Sequence, residues 1–247
     1  MAAGNPLTNK VALITGASGG IGRAIARQLA SSGASVALAY GANPEPAQRL
    51  ADELIAAGGH ALAVGADLRR AEGPSRLLAE IEPQLGSIDV LVAAAGLGRQ
   101  QTLEEVSIQD FDEMLAVNLR APFLLAQRTL PGMRARGFGR VLFVSSVAAF
   151  TGGIVGPHYA ASKAGLHGLT HFLAARVAGE GVTVNAIAPA LITDTGMLPG
   201  EPDELKTRVP VGRLGKPEEV ADLALGMLRN PYMTSQVVSL DGGMYPR

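Results

Sequence analysis

Val11-Ala12-Leu13-Ile14-Thr15-Gly16-Ala17-Ser18-Gly19-Gly20-Ile21-Gly22 is the stretch on which the fold turns. Its first residues form a short apolar run, the pattern of a strand buried on both faces. Glycines follow at once, and helical periodicity begins at Ile21. A tight turn needs glycine, close approach of a pyrophosphate to backbone needs the absence of a β-carbon, and a helix N-terminus supplies N–H groups. Strand, glycine turn and helix in that order follow the logic of a dinucleotide site, with Gly16, Ser18, Gly20, Ile21 and Gly22 as candidate contacts. Gly16-Ala17-Ser18-Gly19-Gly20 also satisfies Gly-x-Ser-x-Gly, the nucleophile elbow of hydrolases. That elbow takes an oxyanion N–H from an earlier strand and loop, and only a short arm precedes this strand. A Walker loop is excluded because no Gly-Lys-Ser/Thr follows.

Outward from this unit, apolar runs at 10–15, 35–40, 60–65, 88–93, 141–145, 183–187 and 236–239 alternate with amphipathic stretches at 21–32, 45–57, 70–82, 108–136, 159–178 and 217–228. Such alternation predicts an α/β protein: one Rossmann-type, doubly wound domain with a seven-stranded parallel sheet flanked by helices. Gly33 is placed to close the first helix, and Pro217-Glu218-Glu219 to open the last. Residues 1–9 read as a short arm and 10–247 as the domain. Within it, 190–210 is a Pro- and Gly-rich irregular segment suited to a substrate lid.

Composition narrows the function classes. The chain has 247 residues, 47% of them hydrophobic, enough for one sizeable core. Its net charge of −1 and lack of a long basic run give no footprint for nucleic acid. No apolar run reaches the roughly 20 residues that cross a bilayer, and the first residues lack the pattern of a signal peptide, so a cytoplasmic location without membrane partners is expected. The absence of cysteine removes disulfides and thiolate chemistry.

A second stretch carries the chemistry. Ser146 ends an apolar run, a Gly-rich loop follows, and a helix then opens with Tyr159 and Lys163, four residues apart and therefore on one face. A nearby cation favours phenolate and lowers a partner's pKa by roughly 1–3 units from about 10, toward the range useful for general acid work. Ser146 is placed to bond the same substrate oxygen. Tyr-x-x-x-Lys alone is equally compatible with an ordinary surface helix. At the end of the second strand, Ala39-Tyr40-Gly41-Ala42-Asn43 offers no acid for a ribose 2′-hydroxyl. A 2′-phosphate is not repelled there, which favours NADP, while NAD stays open because no cation stands there either. Asp67 suits either an adenine amino group or a helix N-cap region.

Thr15–Gly22, Asp67, Asn118, Ser146, Tyr159-x-x-x-Lys163 and the Pro189 region together resemble the classical short-chain dehydrogenase/reductase family. The segments 212–221 and 240–244 look like its 3-oxoacyl-[acyl-carrier-protein] reductase branch. The resemblance implies an oxidoreductase of fatty acid biosynthesis that reduces a ketone, foremost a 3-oxoacyl thioester, with NADPH. It implies a tetrad: Tyr159 donates the proton, Ser146 orients the carbonyl, Lys163 holds the nicotinamide ribose and acidifies Tyr159, and Asn118 anchors a relaying water. It further implies cofactor contacts from Tyr40, Leu68, Ala95, Gly96, Pro189 and Ile192, and a homotetramer. The chain departs from the family pattern in four places, one being Pro189-Ala190 where the family usually carries Pro-Gly. Ala93-Ala94-Ala95-Gly96 replaces Asn-Asn-Ala-Gly, Asp194 stands in or beside the place of a pyrophosphate-binding threonine that Thr193 or Thr195 would fill, and Gly19 occupies a position where NADP-preferring members often carry arginine.

Other patterns carry alternatives. His167 and His171 have zinc-compatible spacing but no third ligand, so no metal is expected and a helix face or subunit contact is the plainer reading. Arg134, Arg136 and Arg140 mark either a solvated turn or a dock for an acidic carrier protein. Phe150, Val155, Met197 and Leu198 flank the expected site and favour a largely apolar substrate. The alternatives for function are a dehydrogenase of a sugar, steroid or small alcohol, and a non-catalytic cofactor-binding regulator, which would have no need of Tyr159 and Lys163 together.

Overall fold

A computed structural model describes residues 5–198 and 200–245. Seven parallel strands, β1 (Val11–Thr15), β2 (Ser35–Tyr40), β3 (Ala61–Gly65), β4 (Val90–Ala93), β5 (Gly139–Val144), β6 (Val182–Pro189) and β7 (Val237–Leu240), lie in the order β3-β2-β1-β4-β5-β6-β7. The expected sheet is therefore the observed one. Residues 1–4 of the expected arm lie outside the described residues.

Alternate residues of each strand feed two separate cores. Ala12, Ile14, Val36, Leu38, Val90 and Val92 face α1 (Gly20–Ser31), α2 (Glu45–Ala56) and α9 (Pro217–Arg229). On the other side Leu13, Ala37, Leu91, Val141, Phe143 and Val184 meet α3 (Gly73–Leu85), α5 (Ala121–Ala135) and α7 (Pro157–Val177). Burial on both faces explains why the strands read as unbroken apolar runs. Because β1 pairs with both β2 and β4, the chain winds outward in both directions from it, and a crevice opens at the carboxyl ends of β1 and β4.

Helix ends follow local chemistry. Gly33 (φ +84°) terminates α1 in the left-handed region, with the Ala34 amide donating back to Leu29. Glu219 accepts from the Lys216 amide at 2.8 Å where α9 begins at Pro217. The third helix starts at Gly73 instead of residue 70, because residues 67–73 are spent on successive turns and Pro74 favours the first helical turn it occupies. The single helix expected over 108–136 is three pieces: α4 (Ile108–Leu115), a π turn (Ala116–Arg120) and α5. The Ala121 amide reaches back five residues to the Ala116 carbonyl. Pro122 accounts for the break, since its ring would press on the carbonyl four residues earlier, that of Asn118, in an unbroken α-helix. Apolar periodicity does not register a single widened turn.

The segment 190–210 is less irregular than its composition implies. It holds the short helix α8 (Pro202–Leu205), one 3-10 turn (Lys206–Arg208) and a bridge from Ile192 to Gly215. Leu205, Val209 and Leu214 form a small core of its own, packed by Leu191, Leu198 and Met244.

Candidate active site

The strand ends and the 190–210 segment enclose a cleft of ≈ 390 Å³. At one end lie Gly16, Ser18, Gly20, Ile21 and Gly22; Ser146, Tyr159 and Lys163 stand beside them, and Pro189 and Ile192 close a third side. Gly16 is required on two grounds. Its φ is +70°, and a β-carbon there would sit 2.8 Å from the Ala94 carbonyl oxygen. Gly20 lets the Asp194 carbonyl pack directly on the turn, closing the 190–210 segment over it. Gly19 caps α1 with no side-chain bond and the first turn carries no acid, so the amides of Gly20, Ile21 and Gly22 face the cleft without intrahelical acceptors. The Thr15 hydroxyl accepts from the Ala95 amide at 3.1 Å and ties β1 to the loop after β4.

Tyr159 and Lys163 project from the first turns of α7, whose start is set by Gly156 (φ +149°) and Pro157. Ser146 follows β5. Its hydroxyl accepts from the Ala148 amide at 3.2 Å and shares a side-chain hydrogen bond with Tyr159. The adjacent hydroxyl of Ser145 is turned into the interior, bonded to the Lys163 carbonyl at 3.1 Å and to His167 Nε2 at 2.8 Å. Lys163 is 4% exposed, donates to the Val144 carbonyl at 2.8 Å and sits 5.8 Å from the Tyr159 ring centroid.

The electrostatics differ from the sequence expectation. Burial pushes the Tyr159 phenol above its ordinary value, and the Ser146 bond pulls it partly back. Lys163 is lowered to about 8 by burial. Its ammonium is directed at a backbone carbonyl instead of the phenol, so desolvation outweighs the acidification of Tyr159 that the i, i+4 spacing implied.

Asn118 sits in the π turn and is fully buried. Its side chain accepts from the Leu97 amide at 2.8 Å and donates to the Leu97 carbonyl and the Ser162 hydroxyl, both at 3.0 Å. Ser162 in turn donates to the Tyr159 carbonyl at 2.7 Å. The widened turn thus clamps the loop after β4 to the helix that carries Tyr159, a common use of π turns at sites.

Tyr40, Asp67, Leu68, Ala95 and Asn118 are not in the cleft wall. Tyr40 lays its ring on Gly65, and Asp67 Oδ1 accepts from the Arg69 amide (3.1 Å) and Nε (2.8 Å), which holds the carboxyl below its usual range. Thr195 lines the cleft and Thr193 does not. Sequence reasoning missed Leu205, Arg208, Met244 and Tyr245, which the folded segment and tail bring to the cleft from positions without periodic signal. Among the described residues no histidine lines the cleft with Ser18, so the hydrolase elbow has no base.

His167 and His171 turn to different partners, Ser145 and Ser235, and among the described residues no cluster could hold a metal. The arginine cluster also disperses. Arg134 pairs with Glu180 (2.7 and 2.8 Å), Arg136 with Asp89 (3.1 Å), and Arg140 is buried on the carbonyls of Leu228, Gly139 and Gly181. Arg134 and Arg136 thus lie in surface ion pairs while Arg140 is spent on carbonyls inside the chain, so the three do not form one patch.

Beside Tyr159, His158 is fully buried, and among the described residues neither ring nitrogen has a hydrogen-bond partner. Burial lowers its pKa from 6.5, Asp110 offsetting part of the shift and Arg99 adding to it. Depression favours the neutral form, so the native state is fully supported above the unfolded pKa and loses support as pH falls through the folded one. Acid unfolding of the wild type should steepen below about pH 6.5, and His158→Leu should flatten that limb; superimposable pH–stability curves would show that the imidazole charges without penalty.

The model for the short chain dehydrogenase family matches residues 10–205. A 3-oxoacyl-[acyl-carrier-protein] reductase FabG of Staphylococcus aureus is 37% identical over 242 residues, 96% of this chain and 98% of that one. Its Aquifex aeolicus counterpart is 39% identical over 245 residues, 97% and 98% of the two chains. The chain belongs to the short-chain dehydrogenase family. Solved members superpose closely. A Serratia marcescens short-chain dehydrogenase/reductase gives a TM-score of 0.90 at 35% identity over 97% of this chain and 99% of that one. For a dehydrogenase/reductase from Sinorhizobium meliloti the TM-score is 0.89 at 37% identity over 98% of each. As a short-chain dehydrogenase the protein is an oxidoreductase dependent on a nicotinamide cofactor, similar to 3-oxoacyl-[acyl-carrier-protein] reductases. No helix among the described residues is long and apolar enough to cross a membrane.

Proposed function

We propose that this short-chain dehydrogenase reduces a ketone to a secondary alcohol with NADPH, a 3-oxoacyl thioester being the leading substrate class. The observation that carries the reading is the hydrogen-bonded pair of half-buried Ser146 and buried Tyr159, with Lys163 one turn further along the same helix as Tyr159, facing an apolar cleft headed by an uncapped glycine turn.

The residues present fit a dinucleotide. Free amides at the start of α1 suit a pyrophosphate. Gly96 leaves space against Lys163 and Asn118 that a side chain would fill, which suits the nicotinamide ribose, with Pro189 and Ile192 meeting the nicotinamide. Tyr40, Asp67 and Leu68, at the neighbouring strand ends, would meet the adenosine half. Absence of an acid at 39–43 favours the 2′-phosphate. When bound, the cofactor supplies the hydride.

The chain's own groups do the rest. Ser146 orients the carbonyl oxygen, and Tyr159, protonated in its dry surroundings, gives that oxygen its proton. Lys163, cationic near neutrality, stabilises the phenolate left behind, and Asn118 holds the framework through which Lys163 is reprotonated. The homologous reductases from S. aureus and A. aeolicus, named for acyl-carrier-protein substrates, support a 3-oxoacyl thioester, as does the apolar wall of Ile154, Val155, Met197, Leu198 and Leu205. A homotetramer in the cytoplasm completes the proposal.

Purified protein mixed with an acetoacetyl thioester should consume NADPH, followed at the reduced-nicotinamide absorbance band, and bind NADPH more tightly than NADH. Tight cofactor binding with no turnover across a panel of ketones and alcohols would point to a regulator instead.

A further inference from the structure

The cleft wall contains two charged residues among those described, Lys163 and Arg208, and no acid. Lys163 is buried at the catalytic centre. Arg208 is different: it ends the 3-10 turn after α8, solvent-exposed yet lining the cleft beside Leu198, Leu205 and Met244. Neighbouring cations of this segment are satisfied, Lys206 by Asp203 at 2.7 Å and Arg213 by both carboxylate oxygens of Glu219 at 2.9 and 2.5 Å. Arg208 forms no ion pair with any described residue, although Glu201, Asp203 and Glu204 share its segment. Its position is held from below: Leu205 and Val209, on either side, are anchored in the segment's small core. An unpaired guanidinium at the rim of an apolar cleft is a receptor for anionic oxygens, which it grips in forked geometry.

We propose that Arg208 is a specificity-determining residue that selects ketone substrates carrying an anionic group, a carboxylate or a phosphate, away from the reacting carbonyl. This rests on the reductase reading above. The anion has two possible sources, the far end of the acyl chain or the thiol carrier of a thioester, and the same guanidinium chemistry serves both.

Two substrate pairs separate them. Methyl 3-oxohexanoate is compared with its analogue whose terminal methyl is a carboxylate, and the neutral N-acetylcysteamine thioester of acetoacetate with acetoacetyl-coenzyme A, which carries phosphates. For Arg208→Ala the ratio of kcat/KM on the charged over the neutral member should fall on the order of 10- to 100-fold in one pair, which identifies the source. Arg208→Lys should recover part of the loss, and added salt should shrink the wild-type ratio. Unaltered ratios in both pairs, or an effect seen only as a weaker NADPH Kd, would overturn the proposal. Wild-type turnover of the neutral members keeps the reductase reading standing in either case, and its absence would remove that reading separately.

Discussion

Tyr159→Phe is expected to lower kcat/KM for ketone reduction by about 10³-fold, within the 10²–10⁴ range typical of a positioned general acid. The substitution removes one oxygen and keeps the ring. That ring is 9% exposed and packs with Met114 and Ala148, with Leu97 and Val155 alongside, so phenylalanine fills the same space. The fold should therefore survive, with far-UV circular dichroism and NADPH affinity close to wild type. The loss should appear in kcat, because the hydroxyl acts on charge that develops only in the transition state. Burial sharpens the expectation. A phenol pushed above its ordinary pKa stays protonated across the physiological range, so the wild-type donor is loaded throughout it. The reduction rate should consequently show no alkaline limb assignable to Tyr159 near neutral pH. Undiminished turnover by Tyr159→Phe would eliminate the phenol as proton donor and leave Ser146, which shares its hydrogen bond, as the group to test next.

The legible parts of this protein are those with short-range signatures. The glycine turn at Gly16–Gly22 and the apolar strands announce themselves locally, because a sheet covered on both sides leaves continuous apolar runs in the chain. Tyr159 and Lys163 are also legible, since helical spacing places them on one face whatever surrounds the helix. Their electrostatic relation was not. It depends on the depth at which α7 packs, and the carbonyl of Val144 that takes the Lys163 proton bond is 19 residues away in sequence. The π turn at Asn118 is hidden for a similar reason, being a response to Pro122 that leaves apolar spacing unchanged. The dispersal of Arg134, Arg136 and Arg140 follows from partners such as Glu180 and the Leu228 carbonyl, which only tertiary packing brings near. Arg208 belongs with these: its place in the cleft wall is a product of how the 190–210 segment folds back.

Lys163→Met should abolish most of the activity and, unlike a typical buried substitution, make the protein's stability less dependent on alkaline pH. An ammonium held at 4% exposure with its pKa lowered from 10.5 to about 8 is destabilised in the native state by on the order of 3 kcal/mol at neutral pH. The unfolded chain binds that proton up to about pH 10.5 while the folded protein releases it above about 8, so wild-type stability relative to a non-titrating side chain rises between those values. Methionine has a similar stem and no proton to lose. It also leaves the Val144 carbonyl without its 2.8 Å donor, a loss of about 1–3 kcal/mol that does not vary with pH. The offset between the two proteins at pH 7 mixes both contributions, but the slope isolates the first. Denaturant midpoints measured from pH 7 to 10 should move in the wild type's favour by up to about 1.4 kcal/mol per pH unit above pH 8. A constant difference across that range would mean that Lys163 titrates as an exposed lysine does. The lysine would then be an ordinary solvated cation, and the account of how this site steadies a phenolate after proton transfer would lose the burial that strengthens the pair.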